Sequence, residues 1–158
     1  MSFSSLSLPS FLLEVLNAKK FSEPTEVQAQ VIPAFAEKRD LLVEAQTGTG
    51  KTAAFALPLI QKAMVEWDSD SSQKVRSLVL VPTRELAHQV TEVFRDFSSS
   101  TPRQLHITTI VGGENKEIQT KGLARGGEVT IATPGRLLEM LQANEISLID
   151  LEILILDE

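Results

Sequence analysis

Lys51 and Thr52 close a glycine-rich run, Ala45-Gln46-Thr47-Gly48-Thr49-Gly50-Lys51-Thr52, whose composition suits the holding of a phosphate chain. Its glycines let the backbone turn tightly, so that successive N–H groups can point at phosphate oxygens. Lys51 would bring a point charge to the β- and γ-phosphates, and the Thr52 hydroxyl can reach Mg²⁺. A helix opening at Lys51 adds the positive end of its dipole. One departure from the usual pattern is Ala45, which stands where the first glycine is common. A flexible Gly/Thr turn would account for the composition alone. The apolar run before it and the helical pattern after it favour the phosphate loop.

A second group of residues could act on the far side of such a phosphate. The chain ends Leu154-Ile155-Leu156-Asp157-Glu158. After an apolar strand, Asp157 could hold Mg²⁺ through water, and Glu158 could orient and deprotonate an attacking water. In isolation two such acids read as solvated charges; in one chain with the phosphate loop they read as a metal and water site.

Thr25-Glu26-Val27-Gln28 has two readings. Thr25 and Gln28 fit a capping box at a helix start. The Gln28 amide, with one acceptor and one donor side by side, also matches N6–H₂ and N7 of adenine and mismatches guanine.

Three segments could grip a phosphate backbone: Pro82-Thr83-Arg84-Glu85-Leu86-Ala87, Gly112-Gly113, and Thr133-Pro134-Gly135-Arg136. Thr133 is a natural helix cap and Pro134 a natural first helical residue. Such helix starts present free N–H groups and a positive dipole end. Ordinary caps and turns would also put these residues there, and Arg84 could serve as a structural ion pair.

The elements that must position these groups are legible as short apolar runs. Leu41–Val43, Leu78–Val81, Ile107–Val111, Val129–Ile131 and Ile153–Leu156 are continuous rather than alternating, as in strands buried on both faces of a parallel sheet. Between them lie helical patterns over 51–66, 83–97 and 134–143. This alternation predicts an α/β fold with an open, mostly parallel sheet and helices on both faces. Ligands on such sheets gather at the carboxyl ends of the strands, where the candidate segments fall. Two polar stretches, 68–72 and 98–102, read as surface loops between apolar runs.

Composition narrows the function classes. Apolar residues make up 42% of 158, enough for a core and one domain. Cysteine is absent, which excludes disulfides and cysteine-liganded zinc and suits a reducing compartment. The apolar stretch Phe11–Leu16 is too short to span a bilayer and carries Glu14, so a cytoplasmic protein without membrane contact is expected. The net charge of −6 does not favour nucleic acid; any such contact must come from a local track of donors.

Phe21-Ser22-Glu23-Pro24-Thr25-Glu26-Val27-Gln28 resembles the Q motif of DEAD-box RNA helicases. The three strand-end segments resemble motif Ia, the paired glycines and motif Ib of that family. The final Asp-Glu resembles the start of its metal-binding motif, cut before the last two letters. The resemblance runs from Phe3 to Glu158 with the motifs in the family's order. It implies a RecA-like P-loop fold, with residues 1–38 as the Q-motif region and 39–158 as the P-loop core of one amino-terminal domain. It implies ATP and Mg²⁺ as cofactors, with Gln28 reading the adenine. Phe21 and Thr25 belong to that motif, and an upstream aromatic, here Phe3, would stack on the base. It implies that Thr83, Arg84, Gly112, Gly113, Thr133, Gly135 and Arg136 hold single-stranded or short duplex RNA without regard to sequence. On this reading Arg136→Ala should weaken all RNAs alike and shallow the salt dependence by about one phosphate. The family usually has glycine where Lys20 stands, a position that ends a helix in a left-handed conformation.

Two other readings remain open at this stage: a DNA helicase of the same superfamily, and a non-catalytic nucleotide- or RNA-binding module. The family also needs a second RecA-like domain, which this chain lacks. Residues 1–158 alone are therefore expected to bind nucleotide weakly, without RNA-stimulated hydrolysis. The strand that usually lies between the phosphate-loop strand and the Asp-Glu strand is absent too, so both should expose apolar edges.

Overall fold

The structure, a computed structural model, describes residues 1–69 and 73–158. Part of the polar stretch 68–72 thus lies outside the described residues. In chain order the elements are a 3₁₀ turn at Phe3–Leu6, α1 Ser10–Ala18, α2 Glu26–Ala36, α3 Lys51–Glu66, β1 Ser77–Leu80, α4 Arg84–Phe97, β2 Ile107–Ile110, α5 Lys116–Arg125, β3 Val129–Ala132, α6 Pro134–Gln142 and β4 Ile153–Leu156. They form two compact units, residues 1–66 with 93–104 and residues 67–92 with 105–158.

In the first unit α2 packs against α3. The α1 helix ends in a Schellman motif, with Lys20 N–H donating to Asn17 O at 3.0 Å and Phe21 N–H to Leu16 O at 2.9 Å. Lys20 takes the left-handed conformation (φ 61°) that the family gives to glycine. The cost for a residue with a Cβ is about 1 kcal/mol, which two backbone hydrogen bonds offset. The α2 helix opens on the capping box expected at Thr25 and Gln28.

The second unit carries a four-stranded, all-parallel sheet in the order β2-β3-β1-β4. The strands are in register: Leu80 lies opposite Ala132 on one side and Leu156 on the other, and Ala132 opposite Ile110. The ladder runs one residue further, through Val81 N–H to Ala132 O, Thr133 N–H to Ile110 O and Asp157 N–H to Leu80 O. The chain therefore leaves β1, β2, β3 and β4 at one common edge. That register delivers Thr83, Gly112, Thr133 and Asp157 toward the same side of the sheet. The core beneath is Val75, Leu78, Ile110, Leu123, Ala132, Leu137, Met140 and Ile146.

One expected strand is not formed. Leu41–Val43 pairs with no described strand and stays irregular, with Leu42 94% exposed. An apolar run becomes a strand only when a neighbour takes its N–H and C=O groups; without one, β-propensity alone does not hold it. At the other expected edge, β4 pairs only with β1, and Leu154 and Leu156 are exposed. No helix among the described residues is long and apolar enough to cross a membrane.

Candidate phosphate-binding loops

The glycine-rich run of the first unit leads directly into α3 at Lys51. Gly48 and Gly50 adopt φ values of 82° and 85°, the left-handed region that glycine enters without strain. The Thr49 hydroxyl donates to Gln46 O at 2.6 Å and ties the turn together. Among the described residues no protein group accepts from the N–H of Gly48, Gly50, Lys51 or Thr52. Unmatched donors at the start of a sixteen-residue helix whose first residue is Lys51 fit a phosphate group.

Gln28 braces this loop from α2. Its Oε1 accepts from Thr25 N–H at 3.0 Å, and its Nε2 donates to Gly50 O at 3.2 Å. The fit is tight, since a Cβ on Gly50 would lie 2.4 Å from Nε2. A primary amide has two N–H groups and two acceptor lone pairs. One of each is left over, so Gln28 can cap α2, brace Gly50 and still face a donor–acceptor edge. The aromatic residues are placed differently from one another. Phe21 is exposed, 6.2 Å from the Phe97 ring, whereas Phe3 is buried in the 3₁₀ turn. Phe3 serves here as an apolar anchor, and stacking on a base would require it to leave that packing. A cavity of about 640 Å³ lies between α2 residues such as Val31 and Ala34 and the irregular run Leu41–Val43. Neither Gln28 nor Lys51 lines it.

In the second unit the loop after β2 is gripped by side chains from three directions. Thr83 caps α4 through its hydroxyl, which accepts from Leu86 N–H at 3.2 Å. This sets Arg84 on the first turn, where its guanidinium donates to Gly112 O at 3.4 Å. Arg84 lies over Gly113 (φ 76°) so closely that a Cβ there would fall 2.2 Å from Nη1. Arg136, on the first turn of α6, donates through Nη1 and Nη2 to Glu114 O at 3.3 and 3.2 Å. The same guanidinium reaches Gln119 Oε1 at 3.0 Å and Glu139 Oε2 at 3.0 Å. With a side-chain exposure of 9%, it is a structural fork rather than a free surface cation. Thr133 is buried at the α6 cap position, and its side chain makes no capping bond. Gly135 has open space around it.

Gln119, in the second turn of α5, carried no mark in the sequence. It is 6% exposed, accepts from Val111 N–H at 3.3 Å and donates to Val111 O at 2.9 Å. The α5 helix itself is not among the helical patterns read from the sequence, although Asn115 caps it, its side chain accepting from Ile118 N–H at 3.1 Å. That Gln119 points inward depends on how α5 meets β2, which no local pattern encodes. Around this frame Lys116 bridges Glu145 at 2.9 Å and Glu139 at 3.1 Å. These bonds hold the Lys116 ammonium above its ordinary pKa, and the Lys116 bond holds the Glu139 carboxyl below its own.

Asp157 continues the β4 ladder. Among the described residues no three His, Cys, Asp or Glu side chains cluster as a ready-made metal cage.

A parallel α/β sheet with helix starts along one edge, in a chain that also carries a glycine-rich loop at the start of α3, has the architecture of the P-loop class. The chain belongs to the DEAD/DEAH box helicase family, whose sequence profile matches residues 25–158. It is 39% identical over 156 residues to the RNA helicase CrhR of Synechocystis sp., covering 99% of this chain and 30% of that protein. To the ATP-dependent RNA helicase DeaD of Escherichia coli strain K12 it is 41% identical over 156 residues, covering 99% and 24% respectively. Among solved structures, the RNA helicase Prp28 from Chaetomium thermophilum, bound to ADP, matches with a TM-score of 0.88 and 34% identity, over 99% of this chain and 38% of that one. The chain thus spans 30% and 24% of the length of these two helicase relatives.

Proposed function

We propose that the intact protein is an ATP-dependent RNA helicase, and that this chain supplies its nucleotide-binding loop and part of its RNA grip. The observation that carries this reading is the glycine-rich loop: unmatched N–H groups at the start of α3, Lys51 beside them, and Gln28 bracing Gly50. ATP supplies the phosphoryl bond whose hydrolysis drives the cycle. Lys51 neutralises its terminal phosphates, and Thr52 and Asp157 hold Mg²⁺, Asp157 through water. Glu158 orients the attacking water and takes its proton. The remaining N–H and lone pair of Gln28 read the adenine edge, with Phe21 and Thr25 in the same motif.

The helix starts and glycines at the sheet edge hold the RNA sugar–phosphate backbone without reading bases. A second RecA-like domain would complete both sites. Cytoplasmic location fits the absence of cysteine and is proposed with it.

The test is phosphate release by the intact protein with ATP or GTP, Mg²⁺, and RNA or DNA, with Lys51→Ala as the blank. Stimulation by RNA and not DNA, together with preference for ATP, is expected. Gln28→Ala should weaken ATP binding by roughly 1–3 kcal/mol, the cost of an unpaired buried base edge. Equal stimulation by DNA would instead favour a DNA helicase. Equal use of GTP would leave Gln28 as a cap and loop brace.

A further inference from the structure

Three carbonyls of the loop after β2, those of Val111, Gly112 and Glu114, are held by side chains. Val111 O accepts from Gln119 Nε2, Gly112 O from Arg84, and Glu114 O from Arg136. Gln119 also accepts from Val111 N–H and from Arg136, so one buried amide joins the strand end to the guanidinium that fixes the far side of the loop. Among the described residues nothing accepts from the N–H of Gly112 or Gly113, and Gly113 is exposed. Carbonyls held inward and donors left outward are what an anion-binding turn requires.

We propose that Gln119 is a positioning residue for RNA: by pinning Val111 and orienting Arg136, it presets Gly112 and Gly113 to donate to one backbone phosphate. The proposal rests on the RNA-helicase reading above and goes beyond it in two respects. It assigns a role to a residue that touches no RNA, and it makes Arg136 part of the frame rather than the phosphate contact. The physical basis is preorganisation. A loop already fixed in the bound geometry loses less conformational freedom when the phosphate arrives, and a buried, fully satisfied polar network has few alternative arrangements.

The experiment uses the intact protein and measures RNA-stimulated phosphate release against RNA concentration, and against ATP concentration at saturating RNA. Gln119→Met keeps the volume and removes all the hydrogen bonds. It should raise the RNA concentration for half-stimulation about tenfold, the scale of one or two lost buried bonds, while most of the rate at saturating RNA is retained. Gln119→Glu keeps the acceptor used by Val111 N–H and Arg136 and loses the donor to Val111 O. It should fall between the wild type and the methionine variant, and it carries the test if that variant does not fold.

A walk of single methylphosphonate substitutions along a uridine decamer supplies a readout that general destabilisation would not give. The wild type should lose affinity at the phosphate the glycines hold, and Gln119→Met should add no further loss there while still weakening the other decamers. Unchanged half-stimulation in a folded variant would overturn the proposal. So would equal loss at every methylphosphonate position, or equal rises in the RNA and ATP concentrations required. Failure of the wild type to respond to RNA at all would instead remove the functional reading on which the proposal rests.

Discussion

Two glycine loops in this chain offer unmatched N–H groups next to a helix start, and they are built on opposite principles. The loop at 111–114 is set by its surroundings: Gln119, Arg84 and Arg136 hold the carbonyls of Val111, Gly112 and Glu114, and α5 packs on β2 below it. The loop at 45–50 is set mainly by its own sequence. Two left-handed glycines and the Thr49 bond shape it, Gln28 reaches it at Gly50, and the run before it, Leu41–Val43, is unpaired. The difference shows that free donors alone do not make a rigid anion site. What rigidity requires is control of the carbonyls, and side chains from separate elements supply that control in one loop far more than in the other.

The largest expected effect that would break this comparison is at Arg136. Its removal leaves Glu114 O without its side-chain donors and Gln119 Oε1 with the Val111 N–H alone, at a cost of about 2 kcal/mol, or roughly a thirtyfold loss in RNA affinity. Because the guanidinium is engaged within the protein, Arg136→Ala should leave the slope of log affinity against log salt unchanged. A slope shallower by about one would restore Arg136 as a direct phosphate contact.

Next come the glycines. Gly113→Ala adds left-handed strain of roughly 1–2 kcal/mol and also collides with Arg84, so RNA affinity should fall about tenfold. Gly48→Ala carries the same backbone strain with open space around the new methyl, and nucleotide affinity should fall only severalfold, about 1 kcal/mol. Isothermal titration of the two variants sharpens the contrast. Equal losses would mean that the Arg84 contact contributes nothing.

The smallest effect concerns the rim of the frame. Glu139 has a lowered pKa because Lys116 donates to it, so its contribution to stability is present above the ordinary carboxylate value of 4.5 and is lost as pH falls through the lower folded value. Lys116 has a raised pKa, so its contribution is present below 10.5 and is lost as pH rises through the higher folded value. Urea midpoints should therefore differ slightly between the wild type and Lys116→Met at pH 7 and converge near pH 3. A difference that persists at acid pH would assign the effect to packing by the lysine stem.

What the sequence by itself determined are the features with local causes. The capping box at Thr25, the proline start of α6, the left-handed glycines and four of the five apolar strands each follow from a few neighbouring residues. The full span of α3 was legible for the same reason, an unbroken helical pattern behind a phosphate loop. Tertiary structure decided the rest. Leu41–Val43 has strand composition but no strand, because a ladder needs a partner and composition cannot provide one. Phe3 is an anchor because the 3₁₀ turn packs on α2. Arg136 read as a cation for RNA and is a half-buried fork engaged within the protein, and Gln119 gave no signal yet joins Val111 to that fork. In both cases the deciding contact spans many residues of chain, and a polar side chain carries no local sign of whether its partner will be water, a phosphate or a backbone carbonyl.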